Sequence, residues 1–170
     1  MKRKILLVSH CFLNDAAKLK FQDPTMEKEE HKKKHKILLE LLENDIDLIQ
    51  LPCPELAFYG SNRWGHTSEQ FDTPFFREQS RILLSPIIRD LQEYTLHPER
   101  FELVGILGIN GSPSCGIDFT CSGPYGGDLH DITTQGERLK VTTKPEPGIF
   151  MQEFLKLLNE HKITLPLYSI

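Results

Sequence analysis

Arg3-Lys4-Ile5-Leu6-Leu7-Val8-Ser9-His10-Cys11 is the stretch that decides the fold class of this chain. Its four consecutive apolar residues sit between a charged start and a polar end, the pattern of a strand in a parallel sheet covered on both faces. Similar runs recur at Asp47–Leu51, Leu103–Ile109 and Ile163–Tyr168. Helical spacing lies between them. Residues 25–44 carry Ile37, Leu38, Leu41 and Leu42; Thr73-Pro74 opens a second helix with Phe76, Leu83, Ile87, Ile88 and Leu91; and Gly148 to His161 carries Ile149, Phe150, Phe154, Leu157 and Leu158. Pro86 should kink the second of these by removing one backbone hydrogen bond. Strands alternating with helices predict one α/β domain over residues 1–170, a Rossmann-like three-layer sandwich around a mostly parallel sheet of four to five strands. The fifth strand would be a short one at Lys140–Thr142, inside a long loop region from Gly111 to Pro147. A second long loop is expected from Glu55 to Asp72.

Composition narrows the function. A chain of 170 residues that is 39% hydrophobic can build one core without disulfide staples. The formal charge of -4 argues against nucleic acid or an anionic membrane as partner. No apolar run approaches the length of a membrane span, and Ile5–Val8 is too short for a signal-peptide core, so a cytoplasmic location is expected. In a reducing compartment, four cysteines point to metal ligation or catalysis before disulfides. The run His31-Lys32-Lys33-Lys34-His35-Lys36 reads as a solvated helix face, and His31 with His35 as a metal pair lacks an acidic third ligand.

Cys11, Cys53 and Cys115 each fall just past a predicted strand, where the ligand crevice of an open parallel sheet lies. Convergent thiols there would form a metal or cluster site with a vacant coordination position for substrate. Glu55, two residues beyond Cys53, is a candidate acid–base group, and Ser112 and Ser114 are candidate hydroxyl donors. Cys121 has no comparable position and reads as structural or as an occasional fourth ligand.

The blocks His10-Cys11-Phe12-Leu13-Asn14, Pro52-Cys53-Pro54-Glu55 and Gly111-Ser112-Pro113-Ser114-Cys115-Gly116 resemble those of the thiouracil desulfurase-like (TudS-like) proteins over roughly residues 3–127. The resemblance implies a [4Fe-4S] cluster held by Cys11, Cys53 and Cys115, with its open fourth iron taking sulfur from a thiolated small molecule such as a thio-base. It implies replacement of C=S by C=O with release of sulfide, Glu55 as proton donor, Ser112 orienting substrate or hydrogen-bonding the cluster, and Ser114 among the cofactor-binding residues. The loop after Cys11 departs from the familiar pattern. It reads Asn14-Asp15-Ala16-Ala17-Lys18-Leu19 where better-known members carry a second cysteine and an arginine-tyrosine-aspartate-glycine stretch, which points to a divergent branch with its own substrate. A homodimer is left open.

Several further residues are pocket candidates. Tyr59, Arg63, Trp64 and His66 form a candidate lid, Lys18 a candidate for an anionic substrate group, His10 a tuning group or base, and Asp118, Tyr125 and Asp128 line the loop after Cys115. Two rival readings stand beside the cluster enzyme. One makes Cys115 a nucleophile with His10 or His66 as base; the other makes the chain a metal- or cluster-binding module without turnover.

Overall fold

A computed structural model describes residues 2–19, 24–124 and 140–170. Strands β1 (Arg3–Val8), β2 (Ile46–Gln50), β3 (Phe101–Gly111), β4 (Gly116–Ser122), β5 (Thr142–Lys144) and β6 (Leu167–Ser169) form one six-stranded sheet. β1 pairs in parallel with β2 and with β3, β6 joins the far edge of β3 in parallel, and β4 carries β5 antiparallel at the end of the sheet. The helices are α1 (His10–Leu13), α2 (Pro24–Glu43), α3 (Pro54–Tyr59), α4 (Ser68–Phe71), α5 (Pro74–Leu96) and α6 (Ile149–Glu160), with one 3-10 turn at Asp15–Ala17.

Alternation of side chains along β1 divides the core in two. Leu7 and Ile106 join Leu84, Leu91, Phe150 and Phe154 of α5 and α6, while Leu6, Val8 and Leu107 pack with Ile37, Leu38 and Leu41 of α2. Helices therefore cover both faces of the sheet, and that cover is why β1 reads as an unbroken apolar run. Leu42 departs from the expected stripe and is 55% exposed. α5 runs through Pro86, with Thr73 accepting from the Phe76 N–H at its start.

The sheet has one strand more than the four to five expected. β4 lay hidden in the stretch read as loop, and β5 falls two residues later than Lys140–Thr142. β4 spells Gly-Ile-Asp-Phe-Thr-Cys-Ser, where the buried positions include Thr120 and Ser122 and so carry no apolar period. An ordinary parallel crossover needs a dozen or more residues. The link from β3 to β4 has only Ser112 to Cys115, and the pairing is confined to Ile109↔Gly116 and Gly111↔Thr120 with a register shift between them. Gly111 takes φ 80 at this bend. The stretch from Glu55 to Asp72, expected as loop, holds the short helices α3 and α4. Among the described residues, no helix is long and apolar enough to cross a membrane.

α5 and α6 are riveted by a buried carboxylate. Glu153 is 4% exposed and accepts from Arg77 Nη1 at 2.7 Å and Lys156 Nζ at 2.7 Å, with Arg81 Nη1 at 3.5 Å. Burial alone would push its carboxyl up; the hydrogen bonds from Lys156 and Arg77 outweigh burial and hold it below the usual carboxylate range. A carboxyl lowered on folding contributes stability that is complete above its unfolded pKa and fades as pH falls through the folded value. Glu153→Gln should therefore cost about 2 kcal/mol in urea unfolding at pH 7. The gap between the two proteins should shrink steadily as the medium is taken below about pH 4.

Candidate functional site

Two successive crossovers give the sheet its crevice. The chain goes from β1 outward to β2 and then back across to β3 on the other side of β1. The loops that leave β1 and β3 thus part company, which is where an open parallel sheet binds ligands. Cys11 lies in α1 directly after β1, Cys53 is the N-cap of α3 after β2, and Cys115 follows β3. All three, together with Glu55, Ser112 and Ser114, line one cavity of about 720 Å³.

Local chemistry explains how each is held. Cys53 Sγ accepts the Leu56 N–H at 3.4 Å, and Pro54 starts α3 with the fixed φ that a first helical turn requires. Ser112 Oγ accepts the N–H groups of Ser114 at 3.3 Å and Cys115 at 3.0 Å, closing the turn that presents Cys115. That turn lies on the start of α6: the N–H groups of Ile149 and Met151 donate to the carbonyls of Pro113 and Ser114, and Gly148 N–H donates to Gly116. The approach demands glycine at 148, because a Cβ there would stand 2.4 Å from the Ser114 carbonyl carbon and 2.8 Å from the Cys115 nitrogen.

Glu55 is a buried carboxylate. It is 7% exposed, receives Ser114 Oγ–H at 2.6 Å on Oε1, and receives Arg63 Nε–H at 3.1 Å on Oε2. Ser114 Oγ also lies 3.3 Å from Cys115 Sγ, so hydroxyl, thiol and carboxylate form one chain. Ser112 Oγ lies 3.3 Å from Ser114 Oγ, and Ser114 is the hydroxyl in contact with both Glu55 and Cys115.

Four thiols line the cavity, and all are pushed up from the ordinary cysteine value, chiefly by burial. Cys115 is raised furthest. After burial, the charges of Cys11, Glu55 and Cys53 add to the rise; Cys11 in turn feels Cys53. The three thiols are thus within electrostatic reach of one another. Cys121 feels Glu55 and Glu69 instead and gives its S–H to the His66 carbonyl at 3.3 Å. A catalytic cysteine nucleophile needs a lowered pKa. All four are raised, and a thiol here must lose its proton before it can act either as nucleophile or as metal ligand.

Raised, clustered thiols are what a metal converts to thiolates as it binds and displaces protons. Among the described residues, no three His, Cys, Asp or Glu side chains are grouped to hold a single ion. In a cubane cluster each thiolate binds its own iron, so its ligands stand farther apart than those of one ion. Cys11, Cys53 and Cys115 line the same cavity.

The remaining candidates separate. Arg63 is not a lid residue: its side chain is 4% exposed and spans Glu55, the Gly60 carbonyl at 3.0 Å and the Ala17 carbonyl at 2.7 Å. His66 does line the cavity, its ring 4.8 Å from Phe71 and 5.1 Å from Tyr59. Trp64, 75% exposed, and Tyr59 lie outside the lining, as does His10, which faces Asn14 at 3.4 Å. Lys18 lines the cavity and pairs with Glu30. Asp118 is exposed, bonded to Asn110 and Ser169, and outside the cavity lining. Tyr125 and Asp128 lie outside the described residues. His31 binds Asp15 at 2.9 Å rather than joining His35 around a metal. Sequence reasoning missed Lys34, which sits in the middle of the lysine run and is nevertheless 3% exposed.

The fold and cavity define an α/β protein with thiols gathered at the crossing point of a parallel sheet. A family model described as "Putative 2-thiouracil desulfurase" matches residues 3–133, and the chain belongs to that family. The chain is also similar to the uncharacterized protein MJ0003 of Methanocaldococcus jannaschii, 47% identical over 77 residues, 45% of this chain and 47% of that one. It spans about half the length of this curated relative. No solved structure matches it significantly.

Gly148→Ala tests the seating of the third cysteine loop. It should lower stability by about 2 kcal/mol, the cost of forcing a methyl into packed backbone. It should also speed labelling of Cys115 by a thiol reagent, followed by mass spectrometry, more than labelling of Cys53.

Proposed function

We propose that the chain is an iron–sulfur-dependent desulfurase that takes sulfur, as sulfide, from a thiolated small molecule such as a thio-base, converting C=S to C=O. What carries the reading is the meeting of Cys11, Cys53 and Cys115 around one cavity beside the buried Glu55–Ser114 pair. Family membership supports the desulfurase class. Cys11, Cys53 and Cys115 would hold a [4Fe-4S] cluster as thiolates, which, when bound, supplies a sulfur-seeking iron without a protein ligand.

The chain's own groups carry the protons. Ser114 Oγ–H fixes Glu55 Oε1 at 2.6 Å, and Arg63 fixes Oε2, so the carboxylate cannot turn away from the cavity. A carboxylate oxygen accepts more than one hydrogen bond. Oε1 therefore remains able to take the proton of a water attacking the thiocarbonyl carbon, and to return it to the departing sulfur. The balance is one water in and one hydrogen sulfide out, with no change of oxidation state.

Anaerobic reconstitution with iron and sulfide should give a brown protein. The colour should be lost in Cys11→Ser, Cys53→Ser or Cys115→Ser and kept in Cys121→Ser. Glu55→Gln should keep the colour and lose roughly 10²- to 10⁴-fold in sulfide release from 2-thiouracil or a related thio-base. Stoichiometric zinc in a colourless protein, or a loaded protein that frees no sulfide from any thio-base, would overturn the assignment.

A further inference from the structure

α1 has only four residues, too few for a helix to hold itself in place. The loop it begins, His10 to Ala17, is instead gripped through its carbonyl oxygens by side chains from distant elements. Gln50 Nε2 donates to the His10 carbonyl at 2.9 Å, Lys34 Nζ to the Cys11 carbonyl at 2.9 Å, and Arg63 Nη2 to the Ala17 carbonyl at 2.7 Å.

Two of these donors are buried cations, and burial of a cation is costly unless it is paired and hydrogen-bonded. Lysine on an exposed helix ordinarily sends its ammonium to water. Lys32, Lys33 and Lys36 are exposed in that manner. Lys34 turns inward, pairs with Asp15 and with Glu30 Oε1 at 3.7 Å, and spends a hydrogen bond on the backbone of Cys11 itself. Arg63 is paired with Glu55 and reaches from the α3 segment across to the end of the same loop. One cation thus ties Cys11 to α2. The other ties its loop to the helix that starts at Cys53.

We infer that Lys34 and Arg63 are positioning residues, a two-cation clamp that sets Cys11 against Cys53 through the main chain of the Cys11 loop. Its consequence for cluster binding rests on the functional reading above; the clamp itself is a property of the metal-free chain. Hydrogen bonds from charged donors are about twice as strong as neutral ones and are directional at the carbonyl. They hold the loop at Cys11 and at Ala17, with the thiol between α2 and α3.

Per-residue alkylation of the metal-free, reduced protein tests the clamp, read as the limiting rate of each ionised thiol from its pH dependence so that loss of a nearby cation does not enter through the thiolate fraction. Lys34→Met keeps the apolar stem and removes the ammonium. It should speed modification of Cys11 at least tenfold, since the ammonium takes with it the hydrogen bond to the Cys11 carbonyl and the pairing with Asp15 and Glu30, and leave Cys115 and Cys121 within twofold of wild type. Lys34→Arg should recover most of the protection. Arg63→Met should speed Cys11 and Cys53 together. Ile37→Ala, which loosens the packing of α2 without touching the clamp, serves as the control for a structural effect. An unchanged Cys11 rate in Lys34→Met would overturn the inference. So would equal acceleration of Cys115, or the same Cys11-selective effect in Ile37→Ala. After anaerobic reconstitution, Lys34→Met should hold less iron per chain than wild type. A wild type that takes up no iron overturns the cluster reading alone, since the alkylation pattern judges the clamp without it.

Discussion

Opposed crossovers at the carboxyl ends of β1 and β3 are the constraint on which the site depends. β1 lies between β2 and β3, so the chain must leave β1 in one direction and approach β3 from the other. Three loops that are distant in sequence consequently open onto the same space, and each brings one thiol. The sheet can sustain this arrangement because its two faces are sealed separately, by α5 and α6 on one side and α2 on the other. Above the sealed sheet, each loop has its own restraint.

The restraints differ in kind. Backbone packing holds the Cys115 turn, pressed against the start of α6 at Gly148 so closely that no side chain fits between. The Cys53 site is held by helix initiation, with Pro54 at the first position and the Leu56 N–H on the sulfur. Charge holds the Cys11 loop, through Lys34 and Arg63. These three devices share members: Arg63 serves the Cys11 loop and Glu55 together, and Ser114 serves Glu55 and Cys115 together. Displacing any one loop would therefore disturb the carboxylate that the proposed reaction uses.

Burial sets the electrostatic character of the cavity. Thiols driven up by desolvation stay protonated at neutral pH until a cation compensates them. The charged groups around the cavity are largely matched within it, Arg63 with Glu55 and Lys18 with Glu30. Their work is internal to the site.

Hydrophobic periodicity by itself determined the strands β1, β2 and β3, the three long helices, and the placement of Cys11, Cys53 and Cys115 at strand ends. Those features follow from local burial, which the order of apolar and polar residues records directly. β4 escaped because its buried positions are threonine and serine as much as isoleucine. Only the tertiary structure decided which polar side chains turn inward. Lys34 looks like its exposed neighbours Lys33 and Lys36, and Arg63 looks like a lid residue, until Asp15 and Cys11 in one case and Glu55 and Ala17 in the other come within hydrogen-bond reach. A buried charge exists only where its partners meet it, and those partners lie 19 and 46 residues away for Lys34–Asp15 and Arg63–Ala17. No local pattern in the chain records such a meeting, because the energy that permits it arises only when the loops close on one another.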